Sequence, residues 1–224
     1  EVESIGVMYY AALVPCVLSA LIANVISSLF GVASTSFTLA AIPELSAISL
    51  LQTIGLGIVF GALASLFCRA MHMGGTLYKK IENPYLRIVV GGCIVVLLSL
   101  LVRSGDYNGA GMSVISAALA GHAVPWAFAL KIVFTVLTLG AGFKGGEIVP
   151  CFFVGATCGC VVAPLLGMDA SFGAALGLIA VFCGVTNSPM TSILLGYELF
   201  GGQGLALLAM CAAVSYLLSG YSGL

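Results

Sequence analysis

The stretch Gly140-Ala-Gly-Phe-Lys-Gly-Gly-Glu-Ile-Val-Pro150-Cys-Phe-Phe-Val-Gly155 concentrates the residues of this chain that could do chemistry. It joins two apolar runs, residues 124–139 and 148–166, and carries Lys144 and Glu147 in a chain where charge is scarce. Its glycines let the backbone leave the helical track. Pro150 fits a first helical turn, where a missing N–H matters little. The spacing predicts a broken helix, with one segment ending near Gly140–Gly142 and another starting near Gly146–Pro150. A helix start at membrane depth presents unpaired N–H groups and the positive end of a dipole. The chemistry of such a place is the binding of an anion. Discontinuous helices that meet near the bilayer midplane are a common way to build a substrate site.

The ionisable residues around this stretch each have two readings. Glu147 either complements the helix dipole as a first-turn acid or is a protonatable group beside the ion path, since intramembrane acids are costly and usually functional. An ionised carboxylate repels an anion and a protonated one does not, so Glu147 would couple anion movement to proton movement. Lys144 either draws anions into a vestibule or snorkels to an interface. Lys131 lies mid-span and is expected to pair with a carbonyl or an acid inside the bundle, while Glu198 closes a short helix as a structural acid. His72, beside a basic turn, and His122, in a loop, read as surface histidines.

These residues must be positioned by a membrane-embedded bundle. The 224 residues are 61% hydrophobic and 7% charged, against roughly 25% charged in a soluble domain. Residues 5–31 form one apolar run long enough to cross a bilayer at ~20 residues per span. Residues 33–49 read as a loop with a short helix, and residues 50–67 as a second span extending toward Tyr78. Arg69, Lys79, Lys80 and Arg87 fall close together, which puts the turn among them on the cytoplasmic side. Residues 88–102 return across the membrane, extended by the polar segment before them. Residues 103–109 are then an external loop and residues 111–119 a short helix. Pro125 and Trp126 open the next span, and the segments 148–166, 172–182, 190–200 and 205–218 follow. Several are too short to cross ~30 Å upright, and non-helical backbone survives at membrane depth only where protein or a water-filled cavity surrounds it. The expected fold is therefore an all-α membrane protein, a bundle of tilted and broken transmembrane helices, with 29 glycines allowing close helix contacts.

The residues also carry a resemblance. Gly145-Gly-Glu-Ile-Val-Pro150, followed by Gly155, resembles the GGxFxP motif of CLC-type chloride channels and proton-coupled antiporters. Val185-Thr-Asn-Ser-Pro-Met-Thr-Ser-Ile-Leu-Leu-Gly-Tyr-Glu198 is similar to the family's xAPLTGxxxxxE helix. The likeness covers essentially the whole chain. It implies the second inverted repeat of a CLC-type fold at residues 46–220, the last helix of the first repeat at residues 1–32, and the start of a final helix at residues 221–224. Further residues are expected before Glu1 and after Leu224, and the gating glutamate is expected in the preceding part.

Glu147 ahead of Ile148 resembles the fluoride–proton antiporter branch of that superfamily. The branch often has an ion-binding threonine before the proline. Val149 stands there without a hydroxyl, which leaves coordination to backbone N–H groups and a tyrosine, for which Tyr221 is the nearest candidate. The resemblance thus implies anion binding at Gly145, Gly146, Glu147, Ile148, Val149 and Tyr221, proton coupling at Glu147, fluoride or chloride as the transported anion, and a homodimer in a lipid membrane such as a bacterial inner membrane. A chloride channel or chloride–proton antiporter is the alternative. Glu1 is a further candidate for internal proton transfer.

Other classes find less support. No basic tract is present to bind nucleic acid. The eight cysteines lie mostly in apolar runs, and without paired CxxC motifs they read as packing thiols, with no metal or other cofactor called for. An intramembrane hydrolase would need a nucleophile and base inside the bilayer, and both histidines lie outside the apolar runs, so no enzyme activity is expected.

Overall fold

A computed structural model describes residues 10–32, 36–39 and 41–220, and among these every regular element is helical. In chain order the elements are α1 (Tyr10–Leu29), α2 (Ala47–Tyr78), α3 (Pro84–Val102), α4 (Met112–Leu119), α5 (Ala127–Gly140), α6 (Ile148–Val162), α7 (Ala170–Thr186), α8 (Pro189–Phe200) and α9 (Leu205–Ser219). A 3-10 turn, Ala163–Leu166, prolongs α6. Among the described residues four helical stretches are long and apolar enough to cross a membrane: Ala11–Leu29, Ala47–Tyr78, Pro84–Val102 and Ile148–Leu166. By contrast α5 has 14 residues, about 21 Å of rise, and cannot span the hydrocarbon upright.

Local chemistry sets the helix starts. Ser46 and Ser49 form a reciprocal capping box that begins α2, an arrangement contributing about 1 kcal/mol. The Asn83 side chain accepts from the amides of Tyr85 and Leu86, with Pro84 at the first helical position. Asp169 accepts from the Phe172 amide to start α7. These caps set two boundaries. The short helix expected within residues 33–49 is absent among the described residues there. Instead residues 36–39 and 41–46 form no helix, with the Phe37 amide donating to the Leu199 carbonyl at 2.8 Å, and the helix begins at Ala47 after the Ser46 cap. The expected extension of the span before Ile88 is present: α3 begins at Pro84, with Asn83 as its cap.

The core is the α6–α7 pair with α2 and α9 laid against it. Every residue of α7 from Ser171 to Val185 is buried. A Cβ at Gly155 would overlap the Gly177 carbonyl oxygen, and one at Gly159 would overlap the Gly173 carbonyl oxygen. The two backbones therefore touch, as small-xxx-small spacing permits between helices whose association in lipid depends on packing. The α2 helix crosses α9 in the same way, with Gly57 against Val214 and Gly61 against Ser215 and Leu218. Ser215 donates to the Ala180 carbonyl at 2.7 Å, fastening α9 to α7. The α1 and α3 helices behave otherwise: no residue from Ala11 to Leu29 is buried, and α3 buries only Gly91.

Candidate functional site

The helix break falls where the glycines and Pro150 place it. The α5 helix ends at Gly140, α6 begins at Ile148, and Pro150 stands in its first turn. Gly142 turns the chain with φ of 99°, a left-handed conformation that costs other residues about 1–2 kcal/mol. On its amino side the Arg87 Nε donates to the Ala141 carbonyl at 3.2 Å. A cation at a helix carboxyl end complements its dipole, so Arg87 ties α3 to the end of α5. In sequence Arg87 reads only as part of a basic turn. The available signal is its spacing four residues before Gly91, where a Cβ would overlap that of Ala141.

On the other side of the break the amides of Gly145, Gly146, Glu147, Ile148 and Val149 donate to no group among the described residues. Cys151 is the first residue of α6 whose amide has a partner, the Glu147 carbonyl at 3.2 Å. The residues from Lys144 to Gly146 and Ile148 are exposed, while Glu147 and Val149 are half-buried. This is a helix start with its donors unengaged.

A cavity of about 500 Å³ opens beside this start, walled by the loop at Asn108 and Gly109, by Lys131 and Thr138 of α5, and by Lys144–Gly146, Val149 and Pro150. Of the residues predicted to bind the anion it gathers Gly145, Gly146 and Val149. Glu147 and Ile148 do not line it. Glu147 occupies the cap position of α6 rather than its first turn, and its side chain makes no capping hydrogen bond. Tyr221 and Glu1 lie outside the described residues.

Lys131 meets the expectation of carbonyl partners. It is buried, and its Nζ donates to the Gly109 carbonyl at 2.6 Å and the Tyr107 carbonyl at 3.1 Å. Lys144 is exposed at the cavity wall. Among the described residues the cavity therefore has two lysines and no carboxylate in its lining. The hydroxyls of Thr135 and Thr138 bond back to the carbonyls of Lys131 and Phe134, each at 2.7 Å. Sequence reading missed the loop wall, whose one cue is Tyr107 within a polar segment. Its ring stacks on Phe134 at 5.8 Å and meets Phe153 at 6.1 Å. His72 and His122 are exposed, His72 with its Nδ1 2.8 Å from the Cys68 carbonyl oxygen. Glu198 is exposed on α8.

The family model described as "Voltage gated chloride channel" matches residues 1–220. A "Chloride/fluoride channel protein" of Pseudomonas syringae pv. tomato is 36% identical, covering 100% of this chain and 51% of the relative. A "Voltage-gated ClC-type chloride channel ClcB" of Salmonella dublin is 28% identical over 95% of this chain and 54% of its own length. The crystal structure of a CLC-type fluoride/proton antiporter superposes with a TM-score of 0.91 at 33% identity, covering 96% of this chain and 55% of that one. The chain thus spans about half the length of the relatives it matches.

Proposed function

This chain belongs to the voltage gated chloride channel family, and we propose that the protein carrying it moves small halide anions across a bacterial inner membrane, as a proton-coupled fluoride exporter. The observation that carries the reading is the start of α6: among the described residues, five amides have no partner and the cavity beside them has two lysines and no carboxylate in its wall. Partly dehydrated fluoride needs strong, fixed donors, and unengaged backbone amides supply them. The anion is held by the amides around Gly145, Gly146, Glu147, Ile148 and Val149, with Tyr221 as a further contact from the final helix. Glu147 is free of any capping bond and takes up a proton when the anion is near, which removes a like-charge repulsion.

In this reading residues 1–32 close a first repeat, residues 46–220 form the second and residues 221–224 begin the final helix. The protein is a transporter rather than an enzyme. It works as a homodimer through α1, α8 and α9, which present exposed apolar side chains such as Leu21, Leu194 and Leu217. Val149 favours a second reading. Without a hydroxyl at that position the site has one donor fewer for fluoride, and a chloride channel or chloride–proton antiporter needs less donor strength.

Liposomes containing the full-length protein separate these readings. Fluoride efflux is followed with an electrode, with and without a proton ionophore, and then repeated in chloride. Fluoride efflux that drives proton uptake supports the exporter. Chloride efflux that ignores the proton gradient would overturn it and leave an anion channel.

A further inference from the structure

The loop before α4 is held by an unusual fastening. Lys131 is 2% exposed and forms no ion pair with a carboxylate among the described residues. Burying an ammonium without a counter-charge is costly unless its hydrogens are taken up. Here the Tyr107 and Gly109 carbonyls accept two of the three, and the Phe153 ring face lies 5.0 Å from Nζ, a distance at which a ring quadrupole attracts a cation. The same loop is clamped by the Tyr107 ring between Phe134 and Phe153. At its end Gly111 has φ of 70°, and a Cβ there would come within 2.7 Å of the Phe153 ring. Loop, α5 and α6 therefore meet at one point, directly behind the cavity wall.

The two carbonyls matter for the chemistry of the cavity. A loop bordering an anion must turn its carbonyl oxygens, which carry partial negative charge, toward something other than the anion. Lys131 draws two of them onto its ammonium while Asn108 and Gly109 still face the cavity. Its own positive charge remains beside the space.

We propose that Lys131 is a positioning residue: by gathering the Tyr107 and Gly109 carbonyls it fixes the loop as the outer wall of the anion cavity and so sets how readily the cavity fills. This rests on the anion-transport reading above. It assigns Lys131 to loading of the site rather than to turnover of a loaded one.

The test uses the full-length protein. In Lys131→Met, hydrogen exchange of the amides from Tyr107 to Gly111 is expected to rise about tenfold, because the loop loses its anchor. The apparent KM for fluoride in liposomes is expected to rise about tenfold with the maximal rate within about twofold, the mark of an interaction that acts on binding. Lys131→Arg keeps the charge and the donors and is expected to restore both. Lys144→Met, which removes a cavity charge without touching the loop, is expected to leave loop exchange unchanged. If Lys131→Met does not fold, Gly111→Ala displaces the same loop with the charge intact and gives the same pair of readouts. Loop exchange unchanged in Lys131→Met, or a fall in maximal rate at constant KM, would overturn the proposal. Faster loop exchange in Lys131→Met, together with a wild type that moves no anion, would support the positioning and overturn the transport reading instead.

Discussion

The two ends of α6 are built on opposite principles. Its body is locked, with Gly155 and Gly159 bringing the backbone against α7 so closely that no side-chain atom fits between them. Its start is open, with amides from Gly145 to Val149 lacking a partner among the described residues, and nothing lies within 4 Å of where a Cβ on Gly146 would be. The helix and the turn before it thus carry glycines for two reasons. In the body glycine is a packing requirement. At the start it leaves donors and space free. A rigid body is what lets an unengaged start hold its geometry, since a site must be supported by elements that do not move.

The same substitution at both ends breaks or sharpens this contrast. Gly159→Ala forces the new methyl into the Gly173 carbonyl, and overpacking against backbone is expected to cost about 3 kcal/mol. In purified protein this appears as loss of the monodisperse peak or a steep drop in thermal midpoint. Gly146→Ala meets no neighbour and is expected to stay within about 0.5 kcal/mol of wild type, while narrowing the cavity that Gly146 lines. Equal stability loss at both positions would erase the distinction.

A smaller effect is expected at Val149. Threonine is close to valine in shape, so Val149→Thr adds a hydroxyl to the cavity wall with little repacking. One additional neutral hydrogen bond contributes about 1 kcal/mol, which predicts tighter fluoride binding by about fivefold, read as a lower apparent KM in fluoride efflux. No change would mean that Val149 faces the cavity without reaching the ion.

The smallest effect concerns the loop. Burial first, and the neighbouring Asp106 carboxylate second, hold the Tyr107 phenol above its ordinary value. The folded form then keeps its proton while the unfolded form releases it near pH ~10. The stabilisation is fully present below that pH and is lost as pH rises through the folded value. Loop exchange between Tyr107 and Gly111, corrected for its intrinsic pH dependence, is expected to increase above pH ~10. Tyr107→Phe should remove that increase.

Much of this arrangement is legible in the sequence for physical reasons. Scarce charge and long apolar runs dictate a membrane bundle, and Gly140–Pro150 marks the break because glycine and proline act locally. Lys131 is legible as a buried cation needing carbonyls or an acid. What is not legible depends on contacts between distant segments. The Arg87 contact to Ala141 and the clamp of Tyr107 between Phe134 and Phe153 join residues that no periodicity connects. The place of Glu147 is of the same kind: its position beside Ile148 shows that it is at the helix start, but only the fold leaves it out of the cavity lining. Among the described residues of 33–49 helix appears only from Ala47, and the earlier Phe37 amide pairs with the Leu199 carbonyl, a partner far along the chain.

The central claim is that Glu147 couples protons to the anion held at the start of α6. The direct measurement is proton uptake during fluoride efflux from liposomes containing the full-length protein, recorded for wild type and Glu147→Gln side by side. The account predicts proton uptake that follows fluoride efflux in the wild type and none in Glu147→Gln, whether or not fluoride still passes. Proton uptake per fluoride that is the same in both proteins would contradict it and reduce Glu147 to an acid that complements the helix dipole.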